Sequence, residues 1–60
     1  MEEIAKQIYN EVLNEGLSSG YSYRPDFNEQ VKSMTKQRAE YIFGYSGQEL
    51  IDICNEIEKL

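Results

Sequence analysis

The stretch FGYSGQEL, residues 43–50, separates two helical patterns and decides how the second half of the chain folds. Gly44 stands where the first pattern ends, and glycine is the usual residue in the left-handed conformation that closes a helix. Ser46 is followed three residues later by Glu49 and then by an apolar run, which matches the S-x-x-E capping box that opens a helix. The stretch therefore predicts a tight corner between two helices that pack against each other.

The pattern after the corner predicts a third helix over 47–59. Its apolar residues cover an arc of roughly 180°, which is wider than contact with one neighbouring helix requires. They are Leu50, Ile51, Ile53, Cys54, Ile57 and Leu60. We expect the surplus apolar surface to contact a partner through Ile53, Ile57 and Leu60, which makes a homodimer through helix 3 one possibility.

Two further helices are predicted before the corner. Residues 2–15 have apolar side chains at helical spacing, and Gly16 follows at the position of a C-cap. Residues 27–43 have a second helical pattern, preceded by Asp26 as N-cap with Glu29 completing a box-like pair. The apolar face of this second helix consists of Phe27, Val31, Met34, Ala39, Tyr41 and Ile42.

The segment LSSGYSYRP, residues 17–25, contains serine, glycine and the only proline, so it predicts a loop. The fold prediction is an all-α protein: a small three-helix domain with helices at 2–15, 27–43 and 47–59, a long first loop and a tight second turn. We expect the whole chain, 1–60, to form a single helical domain.

Composition excludes several classes of function. Eleven acidic and six basic residues give a net charge of −5, which disfavours nucleic acid and anionic lipid as partners. No segment reaches the roughly 20 apolar residues of a transmembrane helix, and the acidic N-terminus is unlike a signal peptide. We therefore expect a cytoplasmic protein with no membrane association and, because the chain opens with methionine, a complete small protein of prokaryotic or phage origin.

Catalytic and metal-binding signatures are missing from the sequence. There is one cysteine, Cys54, and no histidine, so neither an intramolecular disulfide nor a zinc site of the usual Cys/His kind can be formed. A Ser-His or Cys-His nucleophile pair is equally impossible. We expect no enzyme activity, no metal and no cofactor. A chain of this size has a small core, and association with another protein is then the favoured way to add stability.

Arg38 falls at the centre of the apolar stripe of helix 2, where a guanidinium needs a partner. In one interpretation, its stem packs along the stripe while its head reaches water or a carboxylate of helix 1 or helix 3. In the other, Arg38 anchors a partner chain, as arginine often does at protein interfaces.

The aromatic residues form two groups, one around the first loop and one around the corner. Tyr21, Tyr23 and Arg24 in the loop resemble a binding surface, because tyrosine supplies rigid amphipathic contact area. Tyr45 at the corner is a further candidate for partner contact. The alternative for both groups is that the rings close the ends of the bundle while their hydroxyls reach water.

The sequence thus predicts a small acidic helical protein–protein interaction module, a regulator, inhibitor or adaptor that binds a protein partner of unknown identity. A helix-turn-helix DNA-binding regulator is the alternative, since two helices joined by a short glycine-containing turn match its outline. Charge argues against it, because Glu49, Asp52 and Glu56 would approach phosphates. A DNA mimic is a further alternative.

Overall fold

The computed structural model describes residues 2–18, 20 and 25–60. These ranges contain three α-helices, α1 (Glu2–Ser18), α2 (Phe27–Tyr41) and α3 (Gly47–Glu58). Each helix contacts both of the others. The radius of gyration is 11.1 Å, close to the roughly 10 Å expected of a compact domain of this length. The predicted all-α three-helix domain is confirmed.

The core lies where the three helices meet. Its central cluster is formed by Ala5, Ile8, Ala39, Ile53 and Ile57. The small side chains at positions 5 and 39 leave room for the isoleucines of α1 and α3 between the helices. Thr35 is the buried polar residue among those described, and its hydroxyl donates a hydrogen bond of 2.6 Å to the carbonyl of Val31. Its polarity is therefore satisfied within α2.

The wide apolar arc of α3 is explained by contact with two helices rather than one. Ile53 and Ile57 are both 0% exposed and lie inside the intramolecular core. Because α3 packs against α1 and α2 together, its buried residues occupy a wider arc than one neighbour requires, whereas Ile51 and Leu60 at the edges of the arc stay exposed. The expectation that these two isoleucines face a partner is therefore wrong for the folded chain, which does not present them at its surface.

The first helix is longer than the sequence predicts. It runs through Gly16 to Ser18, so Gly16 is a residue of the helix and not its C-cap. A Cβ atom at this position would lie 2.7 Å from Cε1 of Phe27, so a glycine here lets the Phe27 ring rest against α1. The left-handed residue after the helix is Gly20, with φ of 79°.

The corner is confirmed in its location but differs in detail. α2 ends at Tyr41, so residues 42–46 connect the two helices, a longer connection than predicted. Gly44 has the expected positive φ of 78°. Around it, the Phe43 N–H donates to the Arg38 carbonyl (3.1 Å) and the Tyr45 N–H donates to the Ala39 carbonyl (3.0 Å), so these two carbonyls in the last turn of α2 are satisfied.

Neither predicted capping box is formed through side chains. Ser46 occupies the N-cap of α3 with extended backbone but its hydroxyl makes no capping hydrogen bond. Asp26 occupies the N-cap of α2, and its carboxylate instead accepts a hydrogen bond of 2.8 Å from the amide of Gln30. The sequence therefore located both helix starts, whereas the bonds it predicted there are absent. Within the described ranges, no helix is both long and apolar enough to cross a membrane.

Candidate functional site

α2 carries a second apolar side that faces away from the core. Positions 34 and 41 are seven residues apart, which is two helical turns, so their side chains lie along the same side of the helix. Met34 is 49% exposed and Tyr41 is 77% exposed, and Ile42, just beyond the helix, is 74% exposed. The three residues line one shallow open cleft. We refer to Met34, Tyr41 and Ile42 as the α2 patch.

A second cleft, which we call the Phe27 cleft, lies beside the patch, between α1 and α2. It has a volume of about 120 Å³, and its apolar walls come from Val12, Gly16, Phe27, Val31 and Met34. The missing side chain of Gly16 contributes to its shape, since the Phe27 ring lies directly against α1. Met34 borders both clefts. The two clefts share Met34 and follow one another along α2, and we call the pair of clefts the α1–α2 groove.

An ion pair between Arg38 and Glu15 joins the two helices along this groove. One guanidinium nitrogen of Arg38, Nη2, donates to Oε1 of Glu15 at 2.7 Å, and the other, Nη1, contacts Oε2. Glu15 lines the Phe27 cleft and Arg38 lines the cleft of the α2 patch. The pair therefore marks the boundary between the two halves of the groove. This geometry is bidentate, the form in which arginine binds a carboxylate most specifically.

The ion pair shifts the pKa values of both of its side chains. The hydrogen bond from Arg38 lowers the pKa of Glu15 from its usual range. The hydrogen bond to Glu15 raises the pKa of Arg38, and the charges of Glu15 and Glu11 add to that rise. Arg38 thus meets a carboxylate of the first helix, as in the first of the two interpretations of its position. A contact between Arg38 and a partner stays a prediction.

The remaining predicted contact residues are not gathered at the groove. Tyr45 is half-buried and packs against the core cluster together with Ile4 and Leu50, so its ring lies under the corner. Leu60 is exposed at the end of the chain, beyond α3. Tyr21, Tyr23 and Arg24 lie outside the described residues.

The basic surface of α2 lies on a different side and is bound to α3. Nζ of Lys36 forms an ion pair with Oε1 of Glu58, and Nζ of Lys32 donates to the Glu58 carbonyl at 3.3 Å. The hydrogen bond from Lys36 lowers the pKa of Glu58, and the charges of Lys36 and Lys32 lower it further. Both lysines are thereby engaged with the end of α3.

The potential metal ligands in the described part of the chain are one thiol and the carboxylates. Cys54 is a half-buried free thiol. Among residues 2–18, 20 and 25–60, no cluster of acidic or sulfur ligands could hold a metal ion. The two clefts of the groove have mainly apolar surfaces, and their volumes of about 120 and 220 Å³ are each below the roughly 300 Å³ of a typical small-molecule pocket.

The patch residues were assigned by sequence to the core face of helix 2, so their exposure was missed. Val31, Thr35 and Ala39 recur every four residues and are buried, whereas Phe27, Met34 and Tyr41 recur every seven. On a helix the two series begin about 40° apart, at Phe27 and Val31, and diverge until Tyr41 lies about 160° from Ala39. An apolar stripe that contains both series is wider than packing into the core requires. That width was the feature of the sequence from which the exposed apolar side could have been predicted.

Comparisons with known proteins found no relatives from which a function could be carried over. No protein-family model matches the chain, and no curated protein matches it. No solved structure matches it either.

Proposed function

We propose that this chain is a small acidic protein-interaction module, a cytoplasmic regulator, inhibitor or adaptor of prokaryotic or phage origin that binds a protein partner through the α2 patch. The observation that supports this function is the exposure of Met34, Tyr41 and Ile42 around one cleft. Single exposed apolar residues are ordinary on protein surfaces, whereas contiguous ones are typical of interaction sites.

Covering the patch would release substantial free energy. Full burial of a large apolar side chain is worth about 1.5–3 kcal/mol. In the free chain Tyr41 and Ile42 lie mostly in water, so most of that gain is left for a partner. Tyrosine and arginine are also enriched among the residues that dominate binding energy, and Tyr41 and Arg38 line the same cleft.

DNA binding has less support from the same surfaces. Glu49 and Asp52 are exposed on α3, the helix that would enter the major groove, and would meet phosphate with like charge. Lys32 and Lys36, the lysines of α2, are already bound to Glu58. A DNA mimic would bind through a continuous acidic face, whereas the function proposed for this chain depends on the apolar α2 patch.

The test is capture of partners from cells of the source organism with three immobilised baits. These are the wild type, Ile42→Ser in the patch, and Ile51→Ser as the matched control, because Ile51 is also an exposed isoleucine but lies on α3. Circular dichroism establishes that all three are folded. We expect one protein to be recovered by the wild type and by Ile51→Ser, and to be lost with Ile42→Ser.

Two results would contradict the proposed function. One is that the wild type recovers no protein that Ile42→Ser fails to recover. The other is a mobility shift with duplex DNA at low salt that weakens steeply as salt is added, which is the signature of phosphate contacts.

A further inference from the structure

Resting on the proposed protein-binding function, we infer that the α1–α2 groove accepts an amphipathic helix of the partner, with two apolar side chains two turns apart and with lysine or arginine along the edge that faces α1. This assigns the chemistry of the partner, which the patch alone does not.

The spacing of the partner's side chains follows from the two clefts. Phe27, Met34 and Tyr41 mark the groove along α2 at intervals of seven residues, with Met34 at the point that both clefts share. Seven residues of α-helix rise about 10 Å. An antiparallel or parallel helix laid along α2 presents its own residues i and i+7 at the same interval, one for each cleft.

The size of the Phe27 cleft fits one side chain. Its volume of about 120 Å³ is close to the ~150 Å³ of an engineered protein cavity that holds benzene. Its walls are contributed mainly by apolar atoms of Val12, Phe27, Val31 and Met34. A leucine, methionine or phenylalanine therefore suits it, in the way that buried anchors of a helix fill a groove.

The charge of the partner follows from the α1 edge of the groove. Glu11 and Glu15 are exposed there, and both terminal nitrogens of Arg38 are already bound to Glu15. Because Arg38 and Glu15 neutralise each other, the charge that the described residues of this edge present to an approaching chain is that of Glu11, one turn before Glu15, and it is negative. The opposite edge carries the neutral side chains of Gln30 and Gln37. Complementarity places the basic residues of the partner over α1.

A second copy of the chain fits this surface less well. Its α2 would present Met34 and Tyr41 at the required spacing, but the neighbouring Gln30 and Gln37 are neutral and the neighbouring Arg38 is already bound to Glu15 of its own chain. Each copy also carries a net charge of −5, so pairing brings like charges together.

A peptide-display selection tests the inference. The library uses a helical template of about 18 residues, or five turns, with apolar or glutamine residues varied along one face and lysine or glutamate varied along its flanks. The baits are the wild type, Met34→Ser, and Ile51→Ser, which removes a similarly exposed apolar side chain elsewhere. We expect the wild type and Ile51→Ser to enrich peptides with apolar residues at i and i+7 and lysine on one flank.

Two measurements on the enriched peptide give the expected magnitudes. Met34→Ser should weaken its binding about tenfold or more, as loss of a central anchor does. Replacing the flanking lysines with glutamate should weaken it by a similar factor, and added salt should weaken the lysine form.

Four outcomes would overturn the inference. The first is that the wild-type bait enriches peptides no better than Met34→Ser does, and the second is that the enriched peptides carry glutamate rather than lysine on their flanks. The third is that the wild type forms a concentration-dependent dimer that Met34→Ser abolishes. The fourth is that a Tyr21→Ser/Tyr23→Ser bait binds the peptide more strongly than the wild type does. The last would assign the Phe27 cleft to the chain's own loop. If the three-bait capture still succeeds in any of these cases, the protein-binding function stands and only the partner chemistry falls.

Discussion

α2 has two apolar sides, and the protein uses them differently. Val31, Thr35 and Ala39 are buried against α1 and α3, whereas Met34 is half exposed and Tyr41 lies mostly in water, both about 60° or more around the helix from the buried residues. The first side contributes to folding, because its side chains leave water as the helices pack. The second contributes little to folding and keeps its apolar area available. An apolar pattern in the sequence therefore includes every apolar side of a helix, both the side that the fold buries and the side that it leaves exposed.

The largest expected effect is on the folding side of this comparison. Ile53→Ala removes a fully buried side chain from the core cluster and should lower the free energy of unfolding by about 2–5 kcal/mol. A domain this small has little stability in reserve, so we expect the variant to be largely unfolded. Urea titration followed by circular dichroism measures both effects.

The matched control is Ile51→Ala, two residues away on the same helix. Ile51 is 53% exposed, so its loss should change stability by no more than about 0.5 kcal/mol. Equal effects of the two substitutions would contradict the packing of α3 described above.

The corner gives the next largest effect. Gly44→Ala places a side chain at φ of 78° and should cost about 1–2 kcal/mol. Ser46→Ala should cost less than about 0.5 kcal/mol, because the Ser46 hydroxyl makes no capping bond. Thermal unfolding of both variants compares them. A cost for Ser46→Ala as large as that for Gly44→Ala would show that the capping box is formed in solution.

A smaller, pH-dependent effect on stability is expected from the ion pair between Glu15 of α1 and Arg38 of α2. The lowered pKa of Glu15 means that its carboxylate stabilises the fold above the usual pKa of glutamate, and that this contribution disappears as pH falls through the lowered value. The wild type should therefore be more stable than Glu15→Gln at pH 7, and the two should converge in acid. Urea titrations across this pH range provide the measurement.

The control for this experiment is Glu40→Gln, which removes an exposed carboxylate of α2 for which the described structure records no ion pair. The difference in the free energy of unfolding between Glu40→Gln and the wild type should be the same at both ends of the pH range. A constant difference between Glu15→Gln and the wild type from pH 7 into acid would contradict the assigned cause.

The smallest expected effect is on the exposed side. Tyr41→Ser and Ile42→Ser should each change the free energy of unfolding by no more than about 0.5 kcal/mol, because both side chains are mostly in water already. Urea titration provides the comparison with Ile53→Ala. A loss of several kcal/mol from either substitution would mean that the patch belongs to the core.

The sequence was sufficient for the number, order and approximate ends of the helices, because these depend on local periodicity and on Gly44 and Ser46. It was insufficient where the end of a helix or the burial of a residue depends on contact with another helix. Gly16 resembles a cap locally, but the Phe27 ring from α2 lies against it and α1 continues. Ile53 and Ile57 suggested an outer surface only because contact with two helices was not foreseen.

The most direct measurement of the central claim is the change in backbone amide chemical shifts when the isotope-labelled chain binds the captured partner or the enriched peptide. If the α2 patch is the binding surface, the largest changes will occur at Met34, Tyr41 and Ile42, while Ile51 and Leu60 stay unchanged. Changes centred on Ile51 and Leu60, with the patch unaffected, would contradict the claim.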